Sequence, residues 1–287
     1  MIGRRRFLTI TAGALIAGPA ASATRWQGRA MGAYAEIDLR GDKRTATHAL
    51  TSARAVLQQV EDEFSIYRQH SRISRLNRAG VVPLSQMFAD LLRRISGLHE
   101  ATGGRFDPTV GADWAAWSKG QTIATDRRWR DVRISADSVA LYPGMALTFN
   151  GIAQGYATDA VARVLRSFGF RDVVVNIGEY WAGTGSARIA APHLGRVLSL
   201  REQAVATSDR LATRFTNGRS HIIDPAAGRD RGFYRYATVV ADDATTADGL
   251  STALCLTGTP ELARRLLDQG LARQISLVAP DGSTVSI

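Results

Sequence analysis

Cysteine occurs once in this chain of 287 residues, at Cys255. A lone cysteine excludes an internal disulfide and a cysteine-based metal cluster. Its place in an apolar run makes it a buried small hydrophobe. Lysine is almost as scarce, present only at Lys43 and Lys119, so the formal charge of +10 is carried nearly entirely by arginine. Arginine's planar fork suits phosphate-bearing ligands, although the bias is equally one of composition. The arginines are scattered and no nucleic-acid-binding module is visible, so nucleic acid is not expected as a partner. Internal repeats and long low-complexity linkers are missing. No apolar run reaches the ~20 residues that a bilayer span needs.

What is present begins with an export leader. Arg4-Arg5-Arg6-Phe7-Leu8 precedes a weakly apolar Thr9-to-Ala20 stretch, and Ala21-Ser22-Ala23 supplies small residues for cleavage. A charged start, a short apolar stretch and an A-x-A site read as a signal peptide over 1–23. The paired arginines point to the twin-arginine route and a periplasmic product, a retained N-terminal membrane anchor being the alternative. Removing Arg4, Arg5 and Arg6 with that leader leaves a charge of +7. The remaining 24–287 has the length of one large domain or two small ones. With 45% hydrophobic and 22% charged residues, the composition suits a globular protein with a real core.

Apolar spacing predicts helices over Thr45–Phe64, Ser85–Thr102, Gly155–Phe168, Ala247–Leu256 and Pro260–Asp268, with Ser85 as an N-cap and glycines as stops. Strands are expected at Ala33–Leu39, twice within Val132–Leu147, and at Asp172–Ile177, Arg188–Ala191, Arg196–Leu200 and Tyr236–Val240. A closing hairpin of Ile275–Val278 and Thr284–Ile287 turns at Asp281-Gly282. Arg72–Asn77 reads as a short segment ending in a turn, and Asp107-Pro108 as the start of a loop carrying Trp114 and Trp117. Strands and helices mix without strict alternation, which favours α+β.

Asp248 and Thr252 stand four residues apart at the head of an apolar helical run. That spacing puts both on one helix face, where two hard oxygens suit a cation such as Mg²⁺. The competing view is an Asp near a helix start that offsets the dipole. The segment Thr102 to Gly111 is a glycine-rich loop, and Phe149-Asn150-Gly151 leads into a helix whose free N–H groups form an anion site or merely follow a turn. Tyr67 is either a half-buried packing residue or a stacking face for a planar ligand. His221, between Ser220 and an apolar pair, is structural or, by its accessible titration, a general base. Trp114, Trp117 and Trp129 read as core or rim packing.

Taken in order, these segments resemble the ApbE family of flavin transferases (FAD:protein FMN transferases). The resemblance runs from Met31 to about Gly258. It rests on Met31-Gly32, Ser65 with Tyr67, Phe106 to Gly111, and Gly151 to Ala157 with Asp159. Further on it rests on Asn176 to Gly178, Thr207-Ser208, Ser220 to Pro225 with Gly228, and Ala247-Asp248 with Thr252. The chain departs from the family pattern at Gln154, usually Lys, and at Thr148, where many members carry a flavin-contacting Asp. It also departs at Glu179 in place of a second glycine and at Asp209 after Thr207-Ser208. The Gly178-Glu179 version and the leader resemble the ApbE-type proteins associated with periplasmic nitrous oxide respiration.

The resemblance implies an α+β fold with the active site in a cleft between two lobes. It implies FMN transfer from FAD to a Thr or Ser hydroxyl of an acceptor protein, with release of AMP. Mg²⁺ would be held by Asp248, Thr252 and the Gly151 carbonyl. His221 would accept the hydroxyl proton. Met31, Tyr67, Arg105, Phe106, Asp107, Thr148, Gln154 and Ile222 would hold FAD. The implied partner is an acceptor flavoprotein, a membrane-bound electron-transfer protein with a periplasmic flavin domain. Two alternatives use the same residues: a metal-dependent FAD pyrophosphatase that gives FMN and AMP, and a non-catalytic flavin-binding or donor protein.

Overall fold

In a computed structural model, the structure describes residues 15–16, 23–121, 127–216, 218–226 and 232–287. The run Val173-Val174-Val175 is apolar at every position. Such a run suits a strand buried on both faces, and the fold is built around it. β7 (Val173–Asn176) lies inside an eight-stranded sheet whose order is β14-β13-β12-β11-β8-β7-β3-β2. Every pairing in it is antiparallel. The other members are β2 (Ala23–Ala30), β3 (Ala33–Arg40), β8 (Tyr180–Ala182), β11 (Gln203–Asp209), β12 (Tyr236–Ala241), β13 (Gln274–Val278) and β14 (Thr284–Ser286).

Side chains alternate across a strand, and each face of this sheet has its own core. Ile37, Val173, Val175, Trp181, Ala204, Ala206 and Val239 join the main core on the helical side. Val174, Tyr180, Ala182, Val205 and Val240 point the other way. There a hairpin of β9 (Ala187–Ala191) and β10 (Arg196–Leu200) covers them, with Ile189 paired to Leu198. The two-residue β1 (Leu15–Ile16) pairs with β9. It and Ala23 are the only described residues of the expected leader; its arginines and the rest of its cleavage site lie outside the described residues.

Between β3 and β7 the chain makes a long helical excursion. It contains α1 (Lys43–Phe64), α2 (Arg72–Ala79), α3 (Gln86–Ala101), α4 (Gly111–Trp117) and α5 (Ala153–Ser167). A small antiparallel sheet of β4 (Val81–Pro83), β5 (Arg133–Ile134) and β6 (Ser138–Ala140) also belongs to it. Asp42, Ser71 and Ser85 cap α1, α2 and α3 with side-chain oxygens, satisfying N–H groups that a helix start leaves open. After β12 come α6 (Ala244–Leu254) and α7 (Glu261–Asp268). α1, α5 and α6 lie on the main-core face.

The α+β expectation holds, with three local corrections. The Trp114 segment, expected as loop, is the helix α4, and the Arg72 segment is a full two-turn helix. α6 starts at Ala244, three residues before the expected Ala247.

Candidate active site

Two helices and one glycine set up the site. α5 and α6 cross so closely at Gly155 that a Cβ there would meet the Ala244 carbonyl oxygen at 2.2 Å and the Asp248 Cβ at 2.8 Å. Gly155 N–H lies in the first turn of α5, where no helical acceptor exists. It donates instead to Asp248 Oδ2 at 3.0 Å. Asp248 is thus no helix-start residue. The start of α6 is held by Asp243, which accepts from Thr246 N, and by Asp159, which accepts from Ala244 N and Thr245 N at 2.8 and 2.9 Å and also from the Thr245 hydroxyl. Burial, with the Asp243 charge, lifts the Asp159 carboxyl to about 6 against these hydrogen bonds.

Asp248 is 4% exposed. Burial raises its carboxyl to about 7, the Asp159 charge adds, and the Gly155 N–H opposes. Glu179, on the turn between β7 and β8, is also buried. Burial and the Asp248 charge raise it well above the carboxylate range, while Thr207 N–H donates to its Oε2 at 3.2 Å. One turn along α6 from Asp248, Thr252 Oγ1 lies 3.4 Å from the Gly151 carbonyl and 3.3 Å from Ser208 Oγ. Among the described residues no group of three or more His, Cys, Asp or Glu side chains makes a ready metal cluster. The donors are mixed instead: a carboxyl raised by burial, a main-chain carbonyl and a hydroxyl. That chemistry fits a hard divalent cation.

These groups line one cleft of about 1520 Å³, mouth included. Strands β8, β9 and β11 and the β9–β10 turn form one wall. The 105–110 and 148–154 loops, the start of α5 and the second and third turns of α6 form the other. Ten of the expected site residues line it: Arg105, Phe106, Asp107, Thr148, Gly151, Gln154, His221, Ile222, Asp248 and Thr252. Gln154 packs over Gly178, whose φ of 95° favours glycine. Arg105 reaches the Leu256 carbonyl. Asp107 is spent on its own loop, accepting from Thr109 N, Thr109 Oγ1 and Trp129 N.

Met31 and Tyr67 stand outside the lining. Met31-Gly32 forms the tight β2–β3 turn, both residues at positive φ, as two-residue hairpins favour. Glu61 Oε1 accepts Met31 N–H, and Glu61 Oε2 pairs with Arg68 next to Tyr67. Tyr67 is 60% exposed, with its hydroxyl bonded to Asn150, a lining residue, so it sits at the rim.

His221 closes a small hairpin in which Arg214 pairs with Ser220. Its backbone N–H and its Nδ1 both meet the Thr213 carbonyl, at 3.2 and 3.1 Å. A carbonyl only accepts, so Nδ1 carries the proton and Nε2 is the basic nitrogen. The matching glycine Gly228 lies outside the described residues. Sequence reasoning missed His193 and Tyr34 in the lining. His193 follows a proline in a one-turn 3₁₀ helix and bonds the Thr238 hydroxyl at 2.7 Å. Neither residue lies in a recognisable motif, and only the β9–β10 hairpin and the β3 pairing carry them to the cleft.

The chain is similar to known proteins over most of its length. The profile of the ApbE family matches residues 31–275. A Vibrio cholerae protein named FAD:protein FMN transferase is 26% identical over 243 residues, covering 72% of this chain and 73% of its own. A Klebsiella pneumoniae protein of the same name is 24% identical over 297 residues, covering 89% and 85%. Among solved structures, the flavin transferase ApbE from Vibrio cholerae superposes with a TM-score of 0.77 at 23% identity, over 93% of this chain and 97% of that one. The apo flavinyl transferase ApbE of Pseudomonas stutzeri gives 0.78 at 24%, over 93% and 95%. With a family profile spanning most of its length and the family's fold throughout, the chain belongs to the ApbE family.

Proposed function

We propose that the protein transfers FMN from FAD to a Thr or Ser hydroxyl of an acceptor protein in the periplasm, with Mg²⁺ bound by Asp248, Thr252 and the Gly151 carbonyl. One observation carries this reading: buried Asp248, Thr252, Gly151 and the His221 ring all line a single cleft. The relatives' name supplies FAD as donor and a protein as acceptor. The leader of residues 1–23 supports export, and the acceptor is then a membrane-bound electron-transfer protein with a periplasmic flavin domain.

The reaction balances as follows. The acceptor oxygen forms a bond to the phosphorus on the riboflavin side of FAD. The pyrophosphate P–O bond breaks, AMP leaves with the bridging oxygen, and the hydroxyl proton goes to His221 Nε2. When bound, the divalent cation supplies Lewis-acid stabilisation of the phosphate charge. Asp248 is fixed for its part by Gly155 N–H. Thr213 fixes the His221 tautomer, so the ring meets the acceptor with its basic nitrogen. Tyr67 presents an exposed ring face at the rim for the flavin, a sequence-tolerant stacking surface.

The test combines protein, FAD, Mg²⁺ and a candidate acceptor domain, read by in-gel flavin fluorescence. Protein-bound flavin is expected. Asp248→Ala should abolish metal-dependent turnover, and His221→Ala should slow transfer by roughly 10²–10⁴-fold, the usual worth of a positioned base. Free FMN without labelled protein would instead mean a pyrophosphatase, and unchanged FAD a binding protein.

A further inference from the structure

Tyr67 follows α1 in the helical excursion and His221 lies between β11 and β12, and Trp114 on α4 stands between the segments that carry them. α4 packs away from the main core. Its Ala116 and Trp117 make a separate apolar cluster with Ile223, against which Trp114 and Phe215 rest. The Trp114 ring meets Tyr67 edge-on, with centroids 6.4 Å apart and planes at 77°. It also meets Phe215 edge-on, at 5.5 Å and 79°. Phe215 belongs to the hairpin that ends at His221: Phe215 N–H donates to the Arg219 carbonyl at 2.9 Å, Arg214 pairs with Ser220, and Thr213 holds the imidazole.

A second tie runs beside the first. Asp113, next to Trp114 on α4, is 2% exposed, and its Oδ2 meets no hydrogen-bond donor among the described residues. Burial raises its carboxyl and the charge of Arg128 opposes. Arg128 Nε in turn donates to the Pro225 carbonyl at 2.6 Å, on the far side of His221. The charge of Arg128, felt by Asp113 on α4, is thus held beside the histidine segment through Pro225.

Resting on the transfer reading above, we propose that Trp114 is a positioning residue: its two edge-to-face contacts set the separation between the flavin-holding Tyr67 and the hairpin that aims His221. Edge-to-face contacts are directional, so an aliphatic side chain of similar bulk fills the space without fixing the angle. Two such contacts correspond to roughly 5- to 150-fold in a rate that depends on that geometry.

The experiment measures FAD affinity, single-turnover FMN transfer to an acceptor domain, and Tm for the wild type, Trp114→Leu, Trp114→Phe, Phe215→Leu and Tyr67→Leu. Phe215→Leu should slow transfer with FAD affinity unchanged. Tyr67→Leu should weaken FAD. Trp114→Leu should do both, and Trp114→Phe should recover most of each loss. The Trp114→Leu, Phe215→Leu double variant should transfer no more slowly than Trp114→Leu alone, because both act along one path. Transfer by Trp114→Leu at the wild-type rate, equal losses in the Phe and Leu variants, or multiplying losses in the double variant would each overturn the proposal. Should Trp114→Leu not fold, Phe215→Leu decides, and an unchanged transfer rate there overturns it. A wild type that labels no acceptor removes the transfer reading itself and this proposal with it; a wild type that labels while Trp114→Leu matches it removes the proposal alone.

Discussion

The Cys255 thiol lies fully buried at the end of α6, 3.7 Å from the Ser208 carbonyl. Burial, helped by the Asp209 charge, pushes it up to about 12. Thiol reagents attack the thiolate, so iodoacetamide at pH 8 should leave the native protein unmodified by mass spectrometry and label it once it is unfolded in guanidinium. Prompt native labelling would show that this end of α6 opens. His193 gives a pH dependence. Burial lowers its value, and the Asp209 charge opposes. The unfolded chain therefore binds this proton more readily than the folded one. The stability linked to His193 is intact above the ordinary value of about 6.5 and declines as pH falls below it toward the lowered folded value. Thermal melts from pH 7.5 to 5.5 should show a smaller acid loss for His193→Gln than for the wild type. Parallel curves would rule the residue out as the source.

At the scale of elements, the crossing of α5 and α6 is the feature most exposed to a single change. Gly155→Ala places a methyl group against the Ala244 carbonyl at 2.2 Å, a main-chain contact that no rotamer relieves. The helices must part, and Asp248 then loses the Gly155 N–H. Overpacking of this kind costs about 1–3 kcal/mol, so Tm should drop and metal-dependent turnover should fall with it; a variant with unchanged Tm and turnover would mean that the helices slide freely. This crossing also shows what could be read from sequence. Asp248 and Thr252 were legible because a four-residue spacing is a local property of a helix. The carboxyl Asp159 and the N–H of Gly155 were visible only as members of a motif, since their partners on α6 lie far along the chain. α4 escaped because its N-cap, Val110, offers no side-chain cap and its seven residues hold no full amphipathic repeat. β2, Ala-Thr-Arg-Trp-Gln-Gly-Arg-Ala, escaped because an edge strand open to solvent on one side needs no apolar alternation. β11 was read only for its Thr207-Ser208-Asp209 end, yet Ala204, Val205 and Ala206 are buried in the sheet.

For the whole molecule, the proposed export leader can be tested directly. Replacing Arg4 and Arg5 by lysine should leave unprocessed precursor in the cytoplasm, as cell fractionation and immunoblotting would show; normal processing of that variant would remove the twin-arginine assignment. A protein moved by that route completes its fold before it crosses, and the sheet topology says how much of the chain that takes. Ile37 and Val175 are neighbours in the sheet, with five helices and three strands between them in the chain. Loop closure on that scale precedes any stabilisation from the pairing, which places the protein among slow folders of high contact order. While the ribosome is still making α5, β2 and β3 can pair only with each other, and the apolar face of α1 lacks both α5 and the rest of the sheet. The centre of the sheet closes only after β7 emerges, and α6, which supplies Asp248 and Thr252, emerges later still, so the side chains proposed to bind the metal are among the last parts of the cleft to form.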